Sequence, residues 1–187
     1  MTPPSYSRIE YERRFLVDGK ADWQHRVKPY SKFLIDRYLD CGRLRLRRME
    51  DSDTGRVAFK LSKKYESDSA LAQPITTIWL SSSEYKSLLN LPGHDLAKRR
   101  YYDEYQGVVF SIDEFQDELS GLVLCESEAA SLELLRQTRF PEYARWEVTA
   151  DAFFTGGSLC RTTALDMASA VARTRLAPPG QAEACST

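Results

Sequence analysis

The chain lacks any long uncharged apolar run, and its first residues, Met1 to Phe15, mix tyrosine, arginine and glutamate where a secretory leader has an apolar core. No stretch approaches the length needed to cross a bilayer as a helix, so the expectation is a cytoplasmic protein without a membrane partner. Cysteine is sparse: Cys41, Cys125, Cys160 and Cys185 are far apart and form neither CxxC pairs nor a disulfide framework. His25 and His94 are the two histidines, and their spacing suits no zinc site. Charge of one sign is also missing. Lys and Arg total 26 against 27 Asp and Glu, for a net charge of −1, which gives no bulk attraction to nucleic acid. A charge-driven function must therefore come from local arrangement.

What is present in quantity is alternation. Apolar and polar residues repeat with a period of two, placing successive side chains on opposite faces of a strand. This pattern predicts strands over 8–17, 33–40, 43–49, 56–63, 74–80, 97–105, 108–115, 122–128 and 145–149. Turn signals such as Asp18-Gly19, Cys41-Gly42, Asp53-Thr54-Gly55 and Gln106-Gly107 separate several of them. Short helices are expected after the capping sequence Ser81-Ser82-Ser83-Glu84, over 131–139, and over 157–172. The 187 residues are read as one domain, 1–175, with 176–187 as a Pro-, Ala- and Gly-rich flexible tail.

The charges on these strands sort by sign. Glu10 and Glu12 share a face with Arg14, and Glu126 and Glu128 repeat the acidic pair. Arg43, Arg45 and Arg47 share another face opposite Leu44 and Leu46, with Arg48 beginning a turn, and Lys98 and Arg100 form a second basic pair. Any single pair reads well as a solvated strand face. The whole set suits a closed barrel with a wet, charged interior, since buried charges need water, partners or a charged ligand. Basic strands alone would fit a polyanion. Acidic strands beside them call for a hard divalent cation, Mg²⁺ or Mn²⁺, of the kind shared with phosphate oxygens.

The order of these segments resembles the triphosphate tunnel metalloenzymes, or CYTH domains, named after class IV adenylate cyclase and thiamine triphosphatase. Ile9-Glu10-Tyr11-Glu12-Arg13-Arg14-Phe15-Leu16-Val17 is similar to the family's ExExK strand, with Arg14 at the lysine position. Arg37-Tyr38-Leu39, Arg45-Leu46-Arg47, Phe59-Lys60, Lys98-Arg99-Arg100-Tyr101, Ile112-Asp113-Glu114-Phe115, Glu126-Ser127-Glu128 and Trp146-Glu147-Val148-Thr149-Ala150-Asp151 then follow in the family's order, over roughly 8–160. The resemblance implies a mainly β (α+β) fold, a closed eight-stranded antiparallel β-barrel with flanking helices. It also implies Glu10, Glu12 and Glu128 as metal ligands with Glu126 beside them. Arg45, Arg47, Lys60, Lys98 and Arg100 become a phosphate clamp, and Arg14, Tyr38 and Glu12 the residues at the chemistry. Asp113, Glu114 and Glu147 suit either the acidic wall or structural pairs with arginines.

The resemblance, closest to short bacterial forms, points to metal-dependent hydrolysis of inorganic triphosphate to pyrophosphate and orthophosphate. Adenylate cyclase and thiamine triphosphatase are alternatives within the family, the latter if Trp23, Trp79 or Trp146 stacks on an aromatic substrate. A non-catalytic polyphosphate- or nucleotide-binding module, with Arg14 marking lost chemistry, is the alternative of another class. The molecule is expected to be a monomer or homodimer.

Overall fold

A computed structural model describes residues 4–176. Nine antiparallel strands follow the alternation read from the sequence: β1 (Arg8–Val17), β2 (Ser31–Leu39), β3 (Leu44–Asp51), β4 (Val57–Lys64), β5 (Ala72–Leu80), β6 (Gly93–Tyr105), β7 (Val108–Phe115), β8 (Val123–Ala129) and β9 (Ala144–Glu147). Their order in the sheet is β5-β4-β3-β2-β6-β7-β8-β1-β9, and a further pairing of β5 with β1 closes eight of them into a barrel. The ninth, β9, pairs with the end of β1 from Phe15 to Val17.

The closing seam is short. Only Arg8, Ile9, Glu10 and Tyr11 of β1 pair with β5, opposite Ile75, Pro74, Gln73 and Ala72. The hairpin between β6 and β7 turns through Gln106 and Gly107, whose φ values of 53° and 77° give the left-handed pair that matches strand twist.

Even-numbered residues of β1 and β8 face inward and odd ones outward. Phe15, Val17, Phe110, Ile112 and Cys125 pack outside the barrel beneath Trp23 and Tyr143. Inside, one region of the barrel is filled by Leu16, Leu96, Phe115 and Leu124, packed against Phe154, Leu159 and Met167 from the C-terminal segment. The remaining interior carries the charges. Among the described residues no helix is long and apolar enough to cross a membrane.

Three expectations change. The helix read over 157–172 is two helices, α3 (Gly156–Leu159) and α4 (Ala164–Leu176), with α1 (Ser82–Leu88) and α2 (Leu132–Gln137) preceding them. Thr163 causes the break: its hydroxyl accepts from the Asp166 amide at 3.2 Å and donates to the Asp166 carboxylate at 2.7 Å, starting a new helix where the old one would have continued. Leu176 belongs to α4, and the rest of the expected tail lies outside the described residues. Arg43 precedes β3 whereas Arg48 lies within it, facing outward and bonded to Glu50 at 2.6 Å.

Candidate active site

A cavity of about 630 Å³ runs through the charged interior and is lined by Glu10, Glu12, Arg14, Tyr38, Arg45, Arg47, Lys60, Lys98, Arg100, Glu126 and Glu128, all eleven residues singled out from the sequence. Strand pairing explains the convergence. Arg14 sits opposite Glu126 and Glu12 opposite Glu128 across β1 and β8, and Arg47 sits between Asp36 and Lys60 across β2, β3 and β4. Opposed residues of an antiparallel pair share a face, so each motif places its neighbour's side chain.

The basic wall is organised by two carboxylates that the motif reading left out or left open. Asp36, 0% exposed, takes a bidentate fork from Arg47 with both contacts at 2.5 Å. Burial would raise its carboxyl, but Arg47 and Arg45 outweigh that and hold it far below the usual carboxylate range. Asp113, equally buried, accepts from Arg100 at 2.6 Å through both oxygens and from Lys98. Asp113 is therefore a structural partner of the clamp. Glu147, bonded to Arg13 at 2.7 and 3.0 Å, and Glu114, accepting from Tyr101 at 3.2 Å, are structural pairs as well. Asp36 had one sequence signal, an acid at an inward position between Leu34 and Tyr38, yet a single acid in a strand carries no motif.

Two basic groups remain unsatisfied. Arg45 Nε is buried without a hydrogen-bond partner, 3.9 Å from Asp36. Lys60 forms no ion pair among the described residues, and burial together with Arg47 and Arg45 pulls its ammonium down to about 8. An ammonium held down by neighbouring guanidinium groups marks a positive potential that the protein leaves uncancelled.

The acidic wall is less free than expected. Arg14 binds Glu12, donates from Nε to Glu126 at 2.8 Å, and donates from Nη1 to the Phe154 carbonyl at 3.1 Å. Glu126 also accepts from Arg100 at 2.9 Å, so it is held by two guanidinium groups instead of standing with the other acids. Lys64, which the motifs did not point to, lies 2.8 Å from Glu10. Glu128 forms no ion pair among the described residues; burial, then repulsion from Glu10 and Glu12, pushes its carboxyl up.

Among the described residues no three acid, histidine or cysteine side chains are grouped tightly enough to hold a metal as they stand. The donor chemistry nonetheless fits a hard cation. Glu10, Glu12 and Glu128 line one cavity, where the first two repel the third, and a divalent ion would relieve that repulsion once Arg14 and Lys64 release their carboxylates.

The segment from Thr149 to Arg161 completes the cavity. Thr149 Oγ1 accepts from the Arg14 amide at 2.9 Å, and Gly156 lies against the Tyr38 hydroxyl, where an added Cβ would come within 1.8 Å of it. The Tyr38 phenol is half-buried and pushed up to about 12, first by desolvation and then by Asp36. Of the three tryptophans considered for stacking, Trp23 and Trp146 are core residues, while Trp79 is 69% exposed with its ring 6.0 Å from Lys60 Nζ.

No protein-family model and no curated protein matches the chain. Solved structures do. The hypothetical protein NE1496 superposes with a TM-score of 0.55 at 22% identity, over 82% of this chain and 99% of that one, and a second structure, the inorganic triphosphatase NE1496, gives 0.54 at 22% over 82% and 95%. This chain has the fold of that triphosphatase. PH1819 from Pyrococcus horikoshii OT3 shares it at 14% identity and a TM-score of 0.50, over 68% and 82%. The closed barrel expected from the motif order is thus the architecture found.

Proposed function

We propose that the chain hydrolyses a linear triphosphate, inorganic triphosphate first among them, within its charged barrel and with Mg²⁺ or Mn²⁺ as cofactor. The observation that carries the reading is the unsatisfied pair on the basic wall, Lys60 without an ion pair and Arg45 Nε without a hydrogen-bond acceptor among the described residues, facing carboxylates across one cavity. A polyphosphate would satisfy both. The fold shared with the triphosphatase NE1496 supports the same reading.

Phosphoryl transfer asks an enzyme mainly to position the phosphates and neutralise developing charge. Arg45, Arg47, Lys60, Lys98 and Arg100 hold the phosphate chain through charge-assisted bonds, with Asp36 and Asp113 fixing the guanidinium planes beforehand. Glu10, Glu12 and Glu128 would hold the divalent cation, which supplies further charge neutralisation and polarises bound water. Tyr38 keeps its proton at neutral pH and donates to a phosphate oxygen. Arg14 also stays protonated, so it orients water or phosphate and does not act as a base.

The test is incubation of the purified protein with inorganic triphosphate and Mg²⁺ or Mn²⁺, with orthophosphate and pyrophosphate measured in equal amounts as the expected result. With ATP, cyclic AMP and pyrophosphate would indicate a cyclase instead. One observation favours the non-catalytic alternative: Arg14 already occupies Glu12 and Glu126. Tight triphosphate binding without phosphate release under either metal would decide for it.

A further inference from the structure

The seam that closes the barrel is shorter than the strand it joins. Strand β5 runs to Leu80, and β4 pairs with it from Ile75 through Leu80, but β1 reaches only Ile75 on the other side. Among the described residues, Thr76 to Leu80 therefore presents a sheet edge without a partner strand. The chain's own N-terminal segment turns away at the point where pairing would continue. The Ser7 amide and hydroxyl both donate back to the Pro4 carbonyl, at 2.9 and 2.7 Å, and β1 starts only after this turn. Pro4 in addition has no amide to offer a ladder.

Proteins usually defend such an edge with lysine, an inward charge, a proline or a bulge. This edge has none of these. From Ser69 to Ser83 the sequence contains no charged residue at all, in a chain that is 28% charged. Thr76, Thr77, Ile78 and Trp79 are strong strand formers, and the two large ones are left in water, Ile78 at 52% and Trp79 at 69% exposure. Ile9, 43% exposed, lies nearby on the paired part of the seam.

We propose that this edge is a self-association surface, on which a second copy of the chain adds the same segment antiparallel, joining two barrels through β5. A second copy is the occupant that the chemistry selects. An uncharged edge neither attracts a charged partner nor repels its own image, and a two-fold axis through Ile78 sets Ile78 against Ile78 and Trp79 against Thr77 of the other copy. Like faces then meet like faces, which is the condition for an isologous interface. Pro74 bounds the edge on one side and the Ser81 cap of α1 on the other. So short a ladder buries less than the roughly 1,200 Å² of a standard stable interface, and the expected dimer is correspondingly weak. The proposal does not rest on the hydrolase reading.

Sedimentation velocity of the full chain between about 2 and 200 μM tests it. The expected result is a concentration-dependent shift from monomer to dimer, with Trp79 fluorescence moving to the blue as the indole leaves water. Ile78→Lys and Ile78→Glu place like charges across the axis on an outward, exposed position, so each should remain monomeric with unchanged far-ultraviolet circular dichroism. Mixing the two variants should restore a one-to-one dimer, an effect that a merely misfolded variant cannot produce. A wild type that stays monomeric throughout would overturn the proposal. So would a dimer that persists in Ile78→Lys, or a mixture of the two variants that fails to pair.

Discussion

Binding of a triphosphate should draw a proton onto Lys60. Its ammonium is lowered to about 8 by burial and by Arg47 and Arg45, which the more distant charge of Asp36 only partly offsets. In the free protein at pH 8 about half the molecules carry Lys60 neutral, and at pH 9 about nine in ten do. A bound polyanion supplies the missing counter-charge and restores the ordinary lysine value, so binding at pH 8 takes up about half a proton at this residue, and nearly a whole one at pH 9. The sign follows: affinity is full below pH 8 and weakens above it, by about tenfold, or about 1.4 kcal/mol, at pH 9. Calorimetric titration in two buffers of different ionisation enthalpy counts the protons directly. Lys60→Arg keeps the charge at every accessible pH, and subtracting its proton count removes whatever the triphosphate itself contributes. Equal proton uptake in wild type and Lys60→Arg between pH 7 and 9 would refute the reasoning, and would mean that Lys60 does not meet the ligand.

The remaining predictions concern single side chains and pH. Arg45→Ala should weaken triphosphate binding by roughly 1 to 3 kcal/mol and cost less stability than Arg47→Ala, because Asp36 keeps its fork from Arg47 when Arg45 is removed; urea unfolding and calorimetry together check this. Arg47→Ala should instead destabilise the fold by roughly 3 to 5 kcal/mol, since it leaves Asp36 buried and stripped of its fork, and an unchanged urea midpoint would contradict it. Arg14→Lys should alter kcat by less than roughly tenfold and add no alkaline limb to the pH profile, if charge at this position is what counts. Chelation should abolish hydrolysis and Mg²⁺ or Mn²⁺ restore it, while Glu12→Gln should come close to the same loss. Asp36 and Glu126 are held below their ordinary values, so their contribution to stability is present above the unfolded carboxylate range and is lost as pH falls through the lowered one; unfolding midpoints should hold down to about pH 4 and then drop steeply.

The site was legible in the sequence to the extent that it lies on strands. A period of two fixes which residues share a face, so Arg45 goes with Arg47, Lys98 with Arg100, and Glu10 with Glu12 and Arg14, whatever the strand order. Which groups pair across strands was not legible. Asp36 became the partner of Arg47 through the register of the β2–β3 hairpin, and Glu126 the partner of Arg14 through the register of two strands far apart in the chain. The same blindness hid Lys64, which reaches Glu10 across the short seam, and Gly156, whose missing side chain makes room for Tyr38. For Glu126, Lys64 and Gly156 the informative neighbour is distant in sequence, and for Asp36 it lies across a hairpin whose register the alternation leaves open; neither charge pattern nor propensity reports it.

The position of β1 has a consequence for how the molecule is made. Strand β1, made before the other described strands, takes its central partners from Val123–Ala129 and Ala144–Glu147, the last two of them. Until those are synthesised, β1 has only the four-residue seam with β5 to hold it, and a half-built sheet must wait with its inward carboxylates and guanidinium groups exposed to water. Ladders between such distant segments give slow folding, on the order of milliseconds to seconds. During that interval the charges of the future interior keep the nascent sheet soluble, so the side chains that line the finished cavity also protect the chain while the barrel is still open.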